Sequence, residues 1–263
     1  GETLYDHSGN QNHGLLMNMD ETAWVENIYG CTDSLAGNYN PDADFDDGSC
    51  EYPDNGDYSL SFDGVDDYVD IDNDLSGFEQ FTKIVNIKPD ENQASDNYNV
   101  LFQTPNGFLE YGYNKISVSV MHDRLGGVSS SPSTRYYVEF EYTLEVGQWS
   151  QIAITVYDNN DIRLYVNGYE IEQTYFEVDD GQVSDLFYST IGARQRFDGI
   201  YGIGDFYTGY IDNISFWNYP MNDEQIQANM TEELSGEEEG LVGYWNFNAG
   251  SDTLLYDHSG NQN

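Results

Sequence analysis

Asp42, Asp44, Asp46 and Asp47 stand just before Gly48, and their spacing offers cation chemistry. A hard ion such as Ca²⁺ takes six to eight oxygens, and alternate Asp side chains on a turning loop can converge on one ion. The register is not that of an EF-hand. The sixth position from Asp42 is Asp47 rather than Gly, and no downstream Glu has the spacing of the bidentate ligand. The plainer reading of the same residues is a solvated Asp/Asn turn. Cys31 and Cys50, the only cysteines, bracket this loop. An even pair around a short, poorly hydrophobic segment reads as a disulfide formed in an oxidising compartment. Such a bridge fixes both loop ends and favours the cation reading, while the lack of a nearby His or further Cys disfavours zinc.

A second candidate is the nonapeptide LYDHSGNQN at Leu4–Asn12, where Asp6, Asn10 and Asn12 put carboxylate and amide oxygens on a tight Gly-containing loop. Asx-turn hydrogen bonding explains those residues nearly as well. His7 lies beside Asp6, but a lone histidine in a polar loop reads as a surface residue. A third candidate is the acidic patch of Asp63 with Asp66, Asp67 and Asp70 around the turn DGVDDY, which either holds a cation through Asp63 or is a strand-end turn at Asp63-Gly64 with Asp66 or Asp67 on the surface. Catalysis finds little support. Glu139-Phe140-Glu141 puts two acids on one strand face, but the flanking pattern of glycosidase carboxylates is missing and a solvated face is expected. No Gly-x-Ser-x-Gly elbow, Cys/His pair or His-Glu-x-x-His helix occurs. Tyr201, Phe206 and Tyr207 in the Gly-rich loop 199–209 suit stacking on sugars or packing against a neighbouring repeat.

The nonapeptide returns unchanged at Leu255–Asn263, so the cation roles would repeat at Asp257, Asn261 and Asn263. A nine-residue identity of mixed type implies a tandem array, of which this chain is a piece. Charge sets the partners: 8 basic against 48 acidic residues give −40. That surface repels nucleic acid and anionic membranes, and calls for salt or divalent cations to relieve self-repulsion. No apolar run approaches the ~18 residues of a membrane span, so no membrane insertion is expected. A hydrophobic content of 38% with 15% aromatics excludes global disorder.

These residues must be positioned mostly by strands. Runs at 58–62, 68–71, 115–120, 136–142, 151–157 and 162–166 alternate or are β-branched and aromatic, with turn signals between them. Further strands are expected at 189–192, 207–217 and 241–247. Asn167-Gly168 reads as a two-residue type I′ hairpin turn. Met221–Met230 reads as one short helix with Asn222 as N-cap and acids in its first turn. The fold class is all-β: an antiparallel two-sheet sandwich with one short helix and a small disulfide-stapled acidic loop module.

The stretches LSFDGVDDYVDI (60–71), GQWSQIAITVYDNNDIRLYVNG (147–168), IGA (191–193), GYIDNISFWNYPMNDE (209–224) and LVGYWNF (241–247), with the LYDHSGNQNHG motif, resemble laminin-G-like domains of the concanavalin A-like lectin/glucanase superfamily. The resemblance covers roughly residues 58–263. It implies a jelly-roll sandwich, frequent Ca²⁺ binding, and binding or adhesion rather than catalysis. It also implies that Asp212 of the GYID strand helps the DHSGN loop to hold a structural Ca²⁺. Residues 31–50 resemble a small acidic Cys-flanked module of long bacterial surface proteins of the Bacteroidetes type. Gly37 stands where such modules commonly carry a further cysteine, which leaves one bridge. In related domains the LVGYWNF strand and DHSGN motif precede the LSFDG strand. Here Leu241–Phe247 either folds back on its own sandwich, the favoured reading, or is donated to a neighbour.

The expected organisation is therefore a tail of a preceding repeat (1–29), an acidic Ca²⁺-binding-like insert (30–57), a laminin-G-like sandwich (58–234), and a linker, strand and start of the repeated motif (235–263). The function expected is that of a non-catalytic repeat module of a secreted, cell-surface adhesin or fibre, stabilised by Ca²⁺ and docking to neighbouring repeats. The alternative is a Ca²⁺-dependent lectin module with glycan partners.

Overall fold

The computed structural model describes residues 3–71, 75, 78–90, 99–105, 107–112, 114–122, 134–158, 161–179, 189–196, 202–231, 234–250 and 253–261. The chain divides into two compact units, Gly1–Glu51 and Tyr52–Asn263.

The first unit holds a short antiparallel ladder of β1 (Thr3–Leu4) and β2 (Gly14–Leu15), a 3-10 turn at Glu21–Ala23, and the acidic loop closed by the Cys31–Cys50 disulfide. Side chains shape that loop. Asp44 accepts from the Ile28 amide at 3.1 Å, Asp46 from the amides of Thr32 (3.0 Å) and Gly48 (2.7 Å), and Asp47 from the Ser49 amide (3.0 Å). Tyr29 stacks on Phe45 at 5.6 Å.

The second unit is the sandwich. Its strands are β3 (Leu60–Asp63), β4 (Val69–Ile71), β5 (Phe81–Pro89), β6 (Asn99–Thr104), β7 (Gly107–Gly112), β8 (Lys115–His122), β9 (Thr134–Glu141) and β10 (Ser150–Asp158). There follow β11 (Asp161–Val166), β12 (Tyr169–Ile171), β13 (Tyr175–Asp179), β14 (Ser189–Ile191), β15 (Arg194–Arg196), β16 (Gly202–Gly204), β17 (Thr208–Trp217), helix α1 (Asp223–Asn229) and β18 (Leu241–Trp245). The first sheet runs β12-β11-β10-β5-β17-β18, with β3 also on β17. The second runs β13-β9-β8-β7-β6-β14-β4. All of these pairings are antiparallel. Between the sheets lies the main core, in which Val85, Ile87, Ile152, Ile154, Ile211 and Phe216 face Leu109, Val118 and Phe140. This is the antiparallel jelly-roll sandwich expected from the sequence.

Local chemistry explains the connections. Asn167 and Gly168 take φ of 50° and 77° between the paired residues Val166 and Tyr169, as a type I′ turn requires. Helix α1 starts at the Asn222 cap, whose side chain accepts from the Gln225 amide at 3.0 Å while Gln225 returns a bond to the Asn222 amide. Leu241–Trp245 pairs with β17 of its own chain.

Three strands show little alternation in the sequence: β5, β6 and β7. Their burial explains it. Every residue of β6 and β7, and most of β5, is buried, because both faces are covered and the period of two is erased. On the outer face of the first sheet a second core forms, in which Met221 and Ile226 pack on Ile84, Ala153, Tyr165 and Trp217.

Lys83 of β5 points into the main core. Its ammonium donates to Thr104 Oγ1 at 2.7 Å and lies 5.0, 5.3 and 5.6 Å from the ring centres of Phe81, Phe102 and Phe216. Ring faces attract a cation, but they replace only part of its lost hydration. Burial accordingly lowers the amine from 10.5 to about 7. Between those values the unfolded chain binds a proton that the folded chain does not, so this group makes stability rise with pH across that window. Lys83→Met should raise the unfolding free energy at pH 7 by about 1–4 kcal/mol. Urea unfolding at pH 7 and pH 9 should show the advantage of the variant shrinking at the higher pH. A constant gap would dissociate it from Lys83 titration.

Candidate functional site

The outer face of the first sheet carries a groove. Alternate residues of β5 (Ile84, Asn86, Lys88), β10 (Gln151) and β17 (Tyr210, Asp212) turn away from the main core, and the second core covers only part of that face. Beside α1 a cleft of about 330 Å³ opens over Asn86, Gln151, Asn213 and Ser215, with Asp57 and Met230 on its sides. A second cleft of about 660 Å³ shares Asn86, Gln151, Asn213, Asp57 and Met230 and adds Tyr58, Lys88, Trp149, Tyr210 and Asp212.

Several local devices build this groove. A bulge in β17 shifts the register between Asp212, opposite Asn86, and Ser215, opposite Ile84, with Asn213 at φ 47°. Bulges of this kind re-aim side chains. Tyr58 is held by its amide, which donates to Asn248 Oδ1 at 3.2 Å, and by Gly250, where an added Cβ would stand 2.4 Å from the ring. The Lys88 ammonium lies 4.3 Å from the centre of the Tyr210 ring and 5.5 Å from that of Trp149. Trp149 is 44% exposed and Tyr58 46%. On the floor, Gln151 Oε1 is buried without a hydrogen-bond partner. Burial pushes the Asp212 carboxyl up to about 6, opposed by the Asn213 amide and assisted by nearby Asp57. The groove thus offers rings for apolar ring faces and unspent acceptors for hydroxyl groups.

The outer face of the second sheet is charged. Glu110, Ser117 and Glu139 stand opposite one another across β7, β8 and β9. Two strand spacings separate the two acids, roughly 9–10 Å of backbone. Arg194 lies 4.0 Å from Glu110 and 2.6 Å from Asp205, and Lys115 pairs with Glu139 at 2.7 Å. Burial pushes Glu110 up to about 7 against the pull of Arg194. Ser117 Oγ, Ser119 Oγ and Arg135 Nε are buried without partners. The solvated face expected for Glu139-Phe140-Glu141 is therefore half right. Glu141 is exposed, but Glu139 is part-buried and tied to Lys115 because β13 pairs alongside β9.

The residues chosen from sequence as cation ligands mostly turn inward to backbone amides. Among the described residues, no three of Asp42, Asp44, Asp46 and Asp47 converge on one point. Three of the four accept from main-chain amides, and the Asp42 amide itself donates to Asn40 Oδ1. Asp6 accepts from the Ser8 hydroxyl and amide and the Asn12 amide, which hold its carboxyl below the usual range. Asn10 donates to Ser8 Oγ. Asp257 accepts from the amides of Tyr244 and Ser259, both at 2.9 Å. Asp212 accepts from the Asn213 amide at 2.8 Å and lies in the groove. Asn263 and Tyr201 lie outside the described residues. Tyr207 is fully buried and meets Phe62 edge-on, so it serves the core rather than a ligand; Phe206 is half-buried. His258 is half-buried between Tyr52 and Tyr244, and desolvation lowers its pKa.

The acids that do converge are Asp63, Asp66 and Asp67, whose ligand oxygens lie within 4.8 Å of one another on the surface. Two oxygens bound to one Ca²⁺ at about 2.4 Å are at most about 4.8 Å apart, so these three residues fit a shared ion. Asp63 and Asp67 also hold the turn, through the amides of Val65 and Asp63.

A family described as the concanavalin A-like lectin/glucanases superfamily matches residues 63–227, more than half of the chain. The chain belongs to the concanavalin A-like lectin/glucanase superfamily. No curated protein matches it. Among solved structures, this superfamily member resembles a Bacteroides ovatus protein described as carbohydrate binding, with a TM-score of 0.55 and 18% identity. The match covers 82% of this chain and 58% of that one, so the chain spans little more than half of its length. It also resembles a heptameric pentraxin of Limulus polyphemus (TM-score 0.45, 15% identity, 66% and 81% covered). A third similar structure is domain 4 of an extracellular arabinanase from Geobacillus stearothermophilus, solved with arabinotriose (0.42, 15%, 70% and 84%). At these identities the likeness is one of fold. The sequence signals for the groove were the exposed Trp149 and the bulge in GYIDN; neither stands out until the strands are paired.

Calorimetric titration of Ca²⁺ should show a site of weak, extracellular-type affinity, with a Kd of roughly 10⁻⁴–10⁻³ M. Asp66→Asn, which spares the bonds made by Asp63 and Asp67, should weaken it about tenfold. Equal heats from both proteins would leave the cluster a turn and nothing more.

Proposed function

We propose that this chain is a non-catalytic, extracellular glycan-binding module, and that the groove over Asn86, Gln151 and Asp212 is its binding site. One observation carries the reading: exposed Trp149 and Tyr58 stand over a floor with an unspent amide oxygen and a desolvated carboxylate. A pyranose offers that combination its complement, with C–H faces for rings and hydroxyl pairs for planar acceptors. The arabinanase domain solved with arabinotriose and the Bacteroides protein described as carbohydrate binding lend the reading support at the level of fold. The disulfide favours an oxidising, extracellular setting. Among the described residues no helix is long and apolar enough to cross a membrane.

A second reading is favoured by the repeated nonapeptide. The chain is then one module of a cell-surface adhesin or filament, stabilised by Ca²⁺ at Asp63, Asp66 and Asp67, whose repeats dock on one another. The two readings are compatible, since a fibre of glycan-binding modules gains avidity from repetition.

A glycan array followed by titration tests the site. Trp149→Ala should weaken the strongest ligand about three- to tenfold, the range of one lost ring contact. Affinity should fall as pH drops through about 6, where Asp212 gains a proton and ceases to be a carboxylate acceptor, and Asp212→Asn should flatten that profile. A silent array, or Trp149→Ala binding like the wild type, would sink the assignment.

A further inference from the structure

Three residues form one row on the floor of the groove. Gln151 of β10 stands opposite Asn86 of β5, and Asn86 opposite Asp212 of β17, so the three share one face of the sheet. The next row, about 7 Å along the strands, holds Lys88 opposite Tyr210. The rows differ in charge. Lys88 spends its ammonium on ring faces, 4.3 Å from the centre of Tyr210 and 5.5 Å from that of Trp149. The floor row ends in an acid, and a second acid, Asp57, lines both clefts beside it.

Neither acid has a counter-ion among the described residues. The ion pairs there join Lys115 to Glu139, Arg163 to Asp161, and Arg194 to Glu110 and Asp205. Asp212 accepts from the Asn213 amide at 2.8 Å, whereas an ionised carboxylate has about four acceptor sites. Asp57 lies close enough to disfavour its ionisation further. In the same row Gln151 Oε1 is buried and unspent. Two carboxylates and an amide oxygen thus face a partly desolvated space, and the chain sets no cation in contact with them.

Three kinds of glycan would meet that floor differently. One with carboxylate or sulfate groups adds like charge to Asp57 and Asp212, in a chain that carries −40 and gives the groove only Lys88. A neutral one donates hydroxyls to Asp212 and Gln151 but leaves both acids uncompensated. One with a protonated amine brings three donors and the missing charge. Its bonds to a carboxylate are about twice as strong as those between neutral groups. Repulsion from Lys88 is the smaller effect, because it acts from the next row and salt weakens it further.

We propose that the groove selects glycans bearing a free, protonated amine, with a sugar ring on Trp149 or Tyr58 and the ammonium at Asp212 and Asp57, and that it discriminates against acidic glycans. The inference rests on the reading of this groove as a glycan site, and it names the class of ligand.

The test is titration calorimetry of the full chain, in slightly acid buffer that keeps a sugar amine protonated. A chelator is present so that no divalent ion competes for the carboxylates. The probes are cellotetraose and the tetramers of the same linkage built from N-acetylglucosamine, glucosamine and glucuronic acid. The glucosamine tetramer should bind about tenfold more tightly than the two neutral ones, and the glucuronic acid tetramer most weakly. Asp212→Asn and Asp57→Asn should each remove most of the advantage of the amine. Asp57 is exposed, so its variant is read even if Asp212→Asn does not fold. Glu141→Gln, which takes one charge from an exposed position on the other sheet, should leave that advantage intact. Equal affinity for the amine and neutral tetramers overturns the inference. So does an equal loss in Glu141→Gln, which would assign the attraction to the acidic surface as a whole. The glycan reading fails on a separate result, silence of every tetramer and of the array. It stands alone if Trp149→Ala weakens a neutral glycan while the amine brings no gain.

Discussion

Packing of Met221 and Ile226 on the outer face of the first sheet sets the terms for the rest of the sandwich. With apolar contacts on both faces, β5 can pair on one side with β10 and on the other with β17 and stay buried over most of its length. The cover is short, because α1 spans only Asp223–Asn229. Where it ends, the same strands must present polar side chains, and Asn86, Gln151 and Asp212 appear at that border. The groove is thus the uncovered remainder of a face otherwise buried.

Charge is handled in the same economical way. Several of the acids placed in loops act as acceptors for nearby amides, as Asp44, Asp46 and Asp47 do in the disulfide loop and Asp6 and Asp257 in the repeated motif. An Asx turn and a cation site ask for the same residues at much the same spacing, and differ in whether the oxygens face the backbone or each other. Only Asp63, Asp66 and Asp67 among the described residues face each other. Among the described residues, several of the scarce cations lie over rings or beside acids: Lys88 over Tyr210, Arg163 over Tyr157, Arg194 between Glu110 and Asp205.

Much of the fold could be read from residues before any pairing was known. The hairpin at Asn167-Gly168, the Asn222 cap and the half-buried strands of alternating pattern all carry local signals. The doubly buried β5, β6 and β7 do not, since burial of both faces removes the period that marks a strand. The site was less legible for a related reason. Tyr207 has the composition of a ligand-stacking ring in a glycine-rich loop, yet it fills the core beside Phe62. Trp149 and Tyr58 are 91 positions apart in sequence and become neighbours only when the segment before β3 is tied to Asn248.

That tie has a mechanical side. The Asn55 amide donates to the Asn248 carbonyl at 2.8 Å, and the Asn55 side chain reaches the Ala249 carbonyl at 2.6 Å. The chain therefore enters the sandwich beside the place where it leaves β18. Tension applied between the segment before β3 and the residues just after β18 would fall first on these few hydrogen bonds. They would part under modest force and free slack between Tyr52 and β3 while both sheets stay paired.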